Sequence, residues 1–433
     1  MAPGMQPKIG ETVVGIIGMG DMGKMYARRI SDAGWKVHAC DRPDKFEALQ
    51  AEFRGRSNIS IFKNGHLVSR TSDFIIYSVE AENIDSVVRE YGPSTKLNAI
   101  VGGQTSCKAP EIAAFEKHLP PDCQIVSCHS LHGPGVNPKG QPLVLIKHRA
   151  QDEAFNLVQN ILSCLESSPV HLTAVQHDRI TADTQAVTHA AFLSMGAAWA
   201  ANSQYPWEMP QYVGGVENVK VNVMMRIYSN KWHVYAGLAI MNPSAREQIR
   251  TYAQSVTELF KLMLHGERET FTRRIHEAKR KVFGDAEGEK LLDDAVLEKF
   301  SLGERPEKQK KNSHLSLLAI VDCWSKLDIN PYHHIICATP LFRMWLGITE
   351  YLFRTPALLE ETIETAISDN SFRADDLEFT FAARDWSERV DLQAFEAYKE
   401  KFEKIQAYFA PRIPEAQRLG NEMIKTIMER TKK

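Results

Sequence analysis

The sequence predicts an α/β chain in two parts: an N-terminal doubly wound parallel sheet, then an all-helical domain. Three observations predict it. Apolar, β-branched runs alternate with helically spaced stretches over the first 165 or so residues, a glycine-rich turn directly follows the first of those runs, and strand signals then cease. Apolar strands alternating with helices mean a parallel sheet covered on both faces, with ligands at the carboxyl ends of the strands. At 433 residues the chain is too long for one ordinary core, so domains at 1–165 and 166–433 are expected.

The elements follow in order. VVGIIG (13–18) is a continuous apolar strand ending in GMGDMG, and KMYARRISDAG continues with helical spacing at Met25, Ala27 and Ile30. WKVHACD (35–41), SDFIIYSVE (72–80), LNAIVGGQ (97–104), CQIVSCHS (123–130) and QPLVLIKH (141–148) each read as a further strand. In the second half, HDRITADTQAVTHAAFLSMGAAWA (177–200) reads as one buried helix. NPSAREQIRTYAQSVTELFKLML opens on Asn242 as N-cap with Pro243 at the first helical position, and Gly266 is its expected stop. The charged SLGERPEKQKKN (301–312) reads as a mobile excursion between helices. Stretches 313–325 and 339–353 are apolar nearly all round, which predicts burial, against a second subunit in a homodimer.

Composition narrows the function. With 43% hydrophobic and 24% charged residues the chain is an ordinary globular one, and Lys+Arg 52 against Asp+Glu 54 gives a net charge of -2. That balance removes the electrostatic argument for nucleic acid or an anionic membrane. MAPGMQPKIGE carries no basic-then-apolar leader, and no window approaches a membrane span, so a cytoplasmic protein is expected. Seven cysteines (40, 107, 123, 128, 164, 323 and 337), with no CxxC, suit buried or idle thiols.

The strongest local signal for chemistry is GIIGMGDMGKMYARRI. Gly18, Gly20 and Gly23 stand in GxGxxG register between a strand and a helix, and a second strand ends in Asp41 about 20 residues on. Gly18 permits the tight turn, Gly20 lets the backbone approach a pyrophosphate, and Gly23 allows close packing of helix on sheet. This is a Rossmann-type dinucleotide site, with Met19, Asp21 and Met22 inside the turn and Ser78 and Val79 at the end of a neighbouring strand. Asp41 and Arg42 point in opposite directions. An Asp there bonds a ribose 2′-hydroxyl and leans towards NAD, whereas an adjacent Arg accepts the 2′-phosphate of NADP, unless it is only a solvated turn residue before Pro43.

Strand ends meet above the nicotinamide in such a sheet, so Ser106 and Lys108 of GGQTSCK and His129 and His132 of HSLHGP can converge. As a metal site, HxxH lacks a third ligand at a recognisable spacing. A serine nucleophile would want a GxSxG elbow, which the sequence lacks. One histidine capping a strand is a structural alternative for His132, and His129, nearer the strand end, is the first choice for acid/base work. His189 lies on an otherwise apolar helix, where a histidine is usually a core residue, but Thr181, Asp183, Thr184, Gln185 and Thr188 give that helix a second, polar face. Lys220, Arg226, Lys231 and Arg246 are candidate cations, most such charges being simply solvated.

As a set, IIGMGDMG, HLVSR, YSVEA, IVGGQTSCK, HSLHGP, ITADTQAVTHAAFLSMG, RIYSNKWHVYAGLAI and NSHLSLLAIVD resemble the fungal prephenate dehydrogenases of tyrosine biosynthesis over nearly the whole chain. The resemblance implies NADP-dependent oxidative decarboxylation of prephenate to 4-hydroxyphenylpyruvate and CO2, with a helical domain that dimerises. It implies that Ser106 contacts the substrate hydroxyl or steers the imidazole, that His129 is the catalytic histidine, and that His189 binds substrate. The bacterial members' helical-domain arginine has no clean counterpart, because GLAIMNP stands there, which leaves Arg226, Lys231 and Arg246 as candidates for the substrate's ring carboxylate. A second resemblance, of GMGDMG to the turn of β-hydroxyacid dehydrogenases, is weakened because TADTQAVTHAAFLSMGAAWA lacks that family's lysine. A non-catalytic nucleotide-sensing regulator is the alternative of another class, disfavoured by Ser106 and His129 at the strand ends.

Overall fold

The computed structural model describes residues 10–284, 291–292, 297, 301–304, 311–333 and 339–430. Residues 305–310 of the charged excursion and Cys337 lie outside these. The chain divides into two compact units, Met1–Arg179 and Ile180–Lys433.

The first unit is an eight-stranded sheet. Its strands are β1 (Val13–Ile17), β2 (Lys36–Cys40), β3 (Ile59–Ile61), β4 (Phe74–Tyr77), β5 (Ile100–Gly103), β6 (Gln124–His129), β7 (Pro142–Arg149) and β8 (Ser168–His171), in spatial order β3-β2-β1-β4-β5-β6-β7-β8. All neighbours pair in parallel except β6 and β7, which are antiparallel. The chain order reverses between β1 and β4, which opens the crevice where such sheets bind ligands. The helices of this unit are α1 (Asp21–Asp32), α2 (Phe46–Phe53), α3 (Gly65–Thr71), α4 (Ile84–Tyr91), α5 (Lys108–His118) and α6 (Asp152–Leu162).

Period-two alternation splits the core into two layers. Val14 and Ile16 pack with Tyr26, Ala27 and Ile30 of α1 and Leu157, Val158 and Ile161 of α6, whereas Ile17, Ile75 and Tyr77 pack with Val68, Ile84, Val88 and Phe115 from α3, α4 and α5. Strand signals do not end at 165, so the expected boundary falls inside this unit. The missed strands, β3 and β8, are the two edges: each is very short, and Pro169 in β8 is tolerated only because an edge strand has no ladder partner on one side.

The second unit is helical, as expected. The stretch read as one helix is α7 (Ala174–Thr181), a π-helical turn over Ala182–Ala186, and α8 (Val187–Ala201). Then come α9 (Val216–Tyr228), α10 (His233–Met241), α11 (Pro243–His265) and α12 (Arg268–Phe283), followed by helices at Leu315–Lys326, Pro340–Phe353, Pro356–Ser368, Arg373–Asp391, Phe395–Phe409 and Ile413–Arg430. The Asn242 side chain caps α11 through the Ser244 and Ala245 N–H groups, and Gly266 ends it in the left-handed conformation at φ 67°. The apolar helices Leu315–Lys326 and Pro340–Phe353 sit within this unit's own core. Their burial is therefore met inside one chain and does not itself call for a partner. None of the described helices is long and apolar enough to cross a membrane.

Candidate active site

The glycine turn is built as its spacing requires. Gly18 has φ 103°, and a Cβ there would lie 2.2 Å from the Ser78 carbonyl oxygen. A Cβ on Gly23 would lie 2.0 Å from the Gly18 carbonyl oxygen, so α1 starts tight against the turn. Gly20, by contrast, faces open space and caps α1 without any side-chain hydrogen bond, so the first N–H groups of the helix remain available to an anion. Val79 closes the far side of Gly18, with its Cγ1 at 3.0 Å from the same hypothetical Cβ, and the Ser78 hydroxyl stands 3.3 Å from that of Gly23. Met19 is buried, Met22 is half-buried, and Asp21 is exposed in the first turn of α1.

Asp41 is largely committed to this turn. Its Oδ2 accepts the Met19 N–H at 2.8 Å, its Oδ1 accepts the Arg42 N–H at 2.7 Å, and Lys45 pairs with Oδ1 at 3.2 Å. Arg42 is 71% exposed and holds Asp44 only loosely, at 3.5 Å. A carboxylate braced on backbone beside two cations fits a 2′-phosphate better than its residue type alone suggests.

At the end of β6, His129 Nδ1 lies 2.8 Å from His177 Nε2, and His177 Nδ1 lies 2.8 Å from Asp178 Oδ1. His177 and Asp178, in α7, are buried, and sequence reasoning missed both. They are 48 and 49 residues beyond His129, and only the adjacent acid and imidazole in HDRIT hinted at them. Burial, then the neighbouring His177 and the Lys108 ammonium, pushes the His129 imidazole well below its usual range, so it is neutral near pH 7.

Lys108 does not face the crevice with the others. It is fully buried and paired with Glu111 at 2.9 Å, and its ammonium also donates to Ser127 Oγ at 3.1 Å and to the Gly103 and Cys128 carbonyls at 3.2 and 2.8 Å. Glu111 in turn accepts the Thr105 N–H and hydroxyl at 3.0 and 2.6 Å and the Ser127 hydroxyl. This network ties the ends of β5 and β6 together directly behind His129. Ser106 is half-buried in the loop between β5 and α5 and makes no hydrogen bond to His129 among the described residues. His132 is a turn residue: its Nδ1 donates to the Gly133 carbonyl at 2.9 Å, while Ser130 beside it is anchored to the Tyr26 hydroxyl at 2.5 Å.

In the helical unit, His189 is buried and packs edge-on against Tyr235, ring centroids 4.7 Å apart, with its Nδ1 unpartnered. Burial pushes its imidazole down to about 3. The Tyr235 hydroxyl accepts the Asn230 amide at 2.8 Å, and that amide also reaches the Arg226 carbonyl at 3.0 Å. The Arg226 guanidinium is taken by Asn421 at 2.5 Å, Lys231 is exposed, and half-buried Arg246 stands in the first turn of α11.

Residues 186–429 match a family described as a 6-phosphogluconate dehydrogenase C-terminal domain, and residues 13–101 that described as NADP oxidoreductase, coenzyme F420-dependent. The chain is 58% identical to the probable prephenate dehydrogenase (NADP+) of Schizosaccharomyces pombe, over 97% of this chain and 98% of that one. It is 57% identical to the prephenate dehydrogenase (NADP+) of Saccharomyces cerevisiae, over 96% of this chain and 94% of the relative. The chain belongs to the prephenate dehydrogenase family. Among solved structures, that of the A. aeolicus prephenate dehydrogenase with hydroxyphenyl propionate and NAD+ is 17% identical, with TM-score 0.49 over 64% of this chain and 98% of that one. The family's strand-glycine-helix element is present here with all three glycines in place, and the open backbone at Gly20 fits a dinucleotide pyrophosphate.

Proposed function

We propose that the protein is an NADP-dependent prephenate dehydrogenase, converting prephenate to 4-hydroxyphenylpyruvate and CO2 in L-tyrosine biosynthesis. The observation that carries the chemistry is His129: a neutral imidazole at a strand end, with Nδ1 occupied by His177 and Nε2 without a hydrogen bond among the described residues. Prephenate has a ring hydroxyl para to a carboxylate. His129 Nε2 accepts the hydroxyl proton as the carbon beneath it loses hydride, and the ring aromatises as CO2 departs. Bound NADP+ supplies the hydride acceptor. Gly18, Met19, Gly20, Asp21, Met22 and Gly23 cradle its pyrophosphate, Ser78 and Val79 wall the turn, and Arg42, with Lys45 beside it, takes the 2′-phosphate while Asp41 braces the loop.

Ser106, in the loop facing the end of β6, contacts the substrate hydroxyl. His189 offers an uncharged imidazole to substrate. Of the three candidate cations, Arg246 suits the ring carboxylate best, because it makes no ion pair among the described residues and stands at a helix N-terminus, where the backbone also favours an anion. Arg226 is already bound to Asn421 and Lys231 is solvated. The protein works in the cytoplasm as a homodimer through its helical half; exposed Leu377 and Phe381, one turn apart on the helix Arg373–Asp391, offer an apolar contact. The deciding experiment is turnover of prephenate by the purified protein with each nicotinamide cofactor. Reduction of NADP+ with release of CO2 is expected; no reduction of either cofactor rules the reading out.

A further inference from the structure

The contacts of His129 run on through a chain of three groups whose proton positions follow from the acceptor at its end. A carboxylate can only accept, so His177 must carry its proton on Nδ1, where it meets Asp178 Oδ1 at 2.8 Å. A neutral imidazole has one N–H, so His177 Nε2 is a lone pair, and the 2.8 Å contact to His129 Nδ1 makes that atom the donor. His129 is thereby left with an unprotonated Nε2, the form a base needs. Asp178 is itself fixed from elsewhere in the unit: Oδ1 accepts the Lys108 N–H and Oδ2 the Ala109 N–H, each at 2.7 Å, and the Cys107 thiol approaches Oδ2 at 3.5 Å. The carboxylate thus stands across the start of α5, and the imidazole chain hangs from the β5–α5 loop.

We propose that His177 and Asp178 are positioning residues for His129, holding it as the Nδ1–H tautomer and sharing the positive charge it gains from the substrate hydroxyl. This rests on the reading of His129 as the proton acceptor. The stoichiometry of the proposed reaction explains why a shared charge is useful. The O–H bond breaks and its proton goes to His129 Nε2; the hydride leaves the same carbon with its electron pair for NADP+; the C–C bond to the ring carboxylate breaks, its electrons entering the ring as CO2 leaves. The ring oxygen then takes the proton back, so the charge must be held briefly and returned. Two imidazoles in series, ending on a buried carboxylate, hold it without losing it to water.

The charge states agree. Burial depresses His177 as well as His129. Burial pushes Asp178 up, but the hydrogen bonds from His177 and from the Lys108 and Ala109 backbone outweigh it and keep the carboxylate ionised.

Two measurements on the full chain test this. Nitrogen NMR of the imidazoles should find Nε2 unprotonated in both His129 and His177 of the wild type, and His129 should lose that preference in His177→Phe. An Nε2–H tautomer for His129 in the wild type overturns the inference whether or not prephenate is a substrate. In kinetics, His177→Phe should lower kcat by about 10²- to 10⁴-fold, the scale of a base held in the wrong tautomer, with KM for NADP+ unchanged. His177→Gln, whose amide oxygen can still accept from Nδ1 and whose N–H can still meet Asp178, should recover a substantial part of that loss. If His177→Phe lowers only the melting temperature while its folded fraction turns over at the wild-type rate with an unmoved pH profile, His177 is structural and the inference fails. A wild type inert towards prephenate would instead defeat the functional reading, and the tautomer measurement would still decide the role of His177.

Discussion

The Asp41 carboxylate accepts the Met19 N–H at 2.8 Å, across the glycine turn and 22 residues away in the chain. The acid that would select NAD by bonding a ribose is instead bound to backbone, and exposed Arg42 beside it is the group placed to meet a phosphate. Arg42→Ala should therefore raise KM for NADP+ far more than for NAD+. Asp41→Ala, which frees the turn, should weaken both. Steady-state kinetics with each cofactor separates the cases, and equal effects of Arg42→Ala on the two would count against the phosphate contact.

Gly20 and Gly18 should fail differently. A methyl group at Gly20 meets nothing in the protein, so Gly20→Ala should melt like the wild type yet bind cofactor more weakly. Gly18→Ala, at φ 103° and against the Ser78 carbonyl, should lose stability first. Calorimetric melting with and without NADP+ checks both.

His129→Asn should keep cofactor affinity while kcat falls by about 10²- to 10⁴-fold, the range for a lost general base. Because burial lowers the His129 imidazole, the wild-type rate should stay full through neutrality and fall on acidification below the free-imidazole value of about 6.5. That limb should vanish in the mutant, and His132→Asn should be much milder. Equal impairment of the two would make the pair structural.

The buried Lys108–Glu111 pair gives a stability test. Lys108→Met leaves an uncompensated carboxylate inside the sheet's edge and should cost about 3–5 kcal/mol, measured by urea unfolding. Lys108→Met with Glu111→Leu should recover much of that, because no buried charge remains.

His189 should make the protein acid-sensitive. Its folded-state value of about 3 lies below the unfolded one of about 6.5, so the unfolded chain takes the proton first, and stability present above pH 6.5 is lost as the pH falls towards 3. Between pH 7 and 5 the loss from this group is about 2 kcal/mol. Unfolding free energies of the wild type and His189→Gln at the two pH values should differ in their pH dependence by that amount.

Much of this protein is encoded in near neighbours along the chain. The βαβ start with its three glycines, the central strands, the Asn242 cap and the Gly266 stop all depend on spacing within a few residues or on a continuous apolar run, and each is where its pattern placed it. The edge strands β3 and β8 escaped because three or four residues with one buried face carry too little periodicity to read. The HSLHGP histidines were visible as a pair, but which of them has its Nδ1 held by another imidazole was not. Folding in three dimensions settled that, by bringing α7 back under the end of β6, placing His177 between His129 and Asp178, and turning Lys108 inward to Glu111. Hydrogen bonds between side chains dozens of residues apart leave no periodic trace in the sequence, since they depend on where strands end and helices begin in space rather than on the order in which residues are joined.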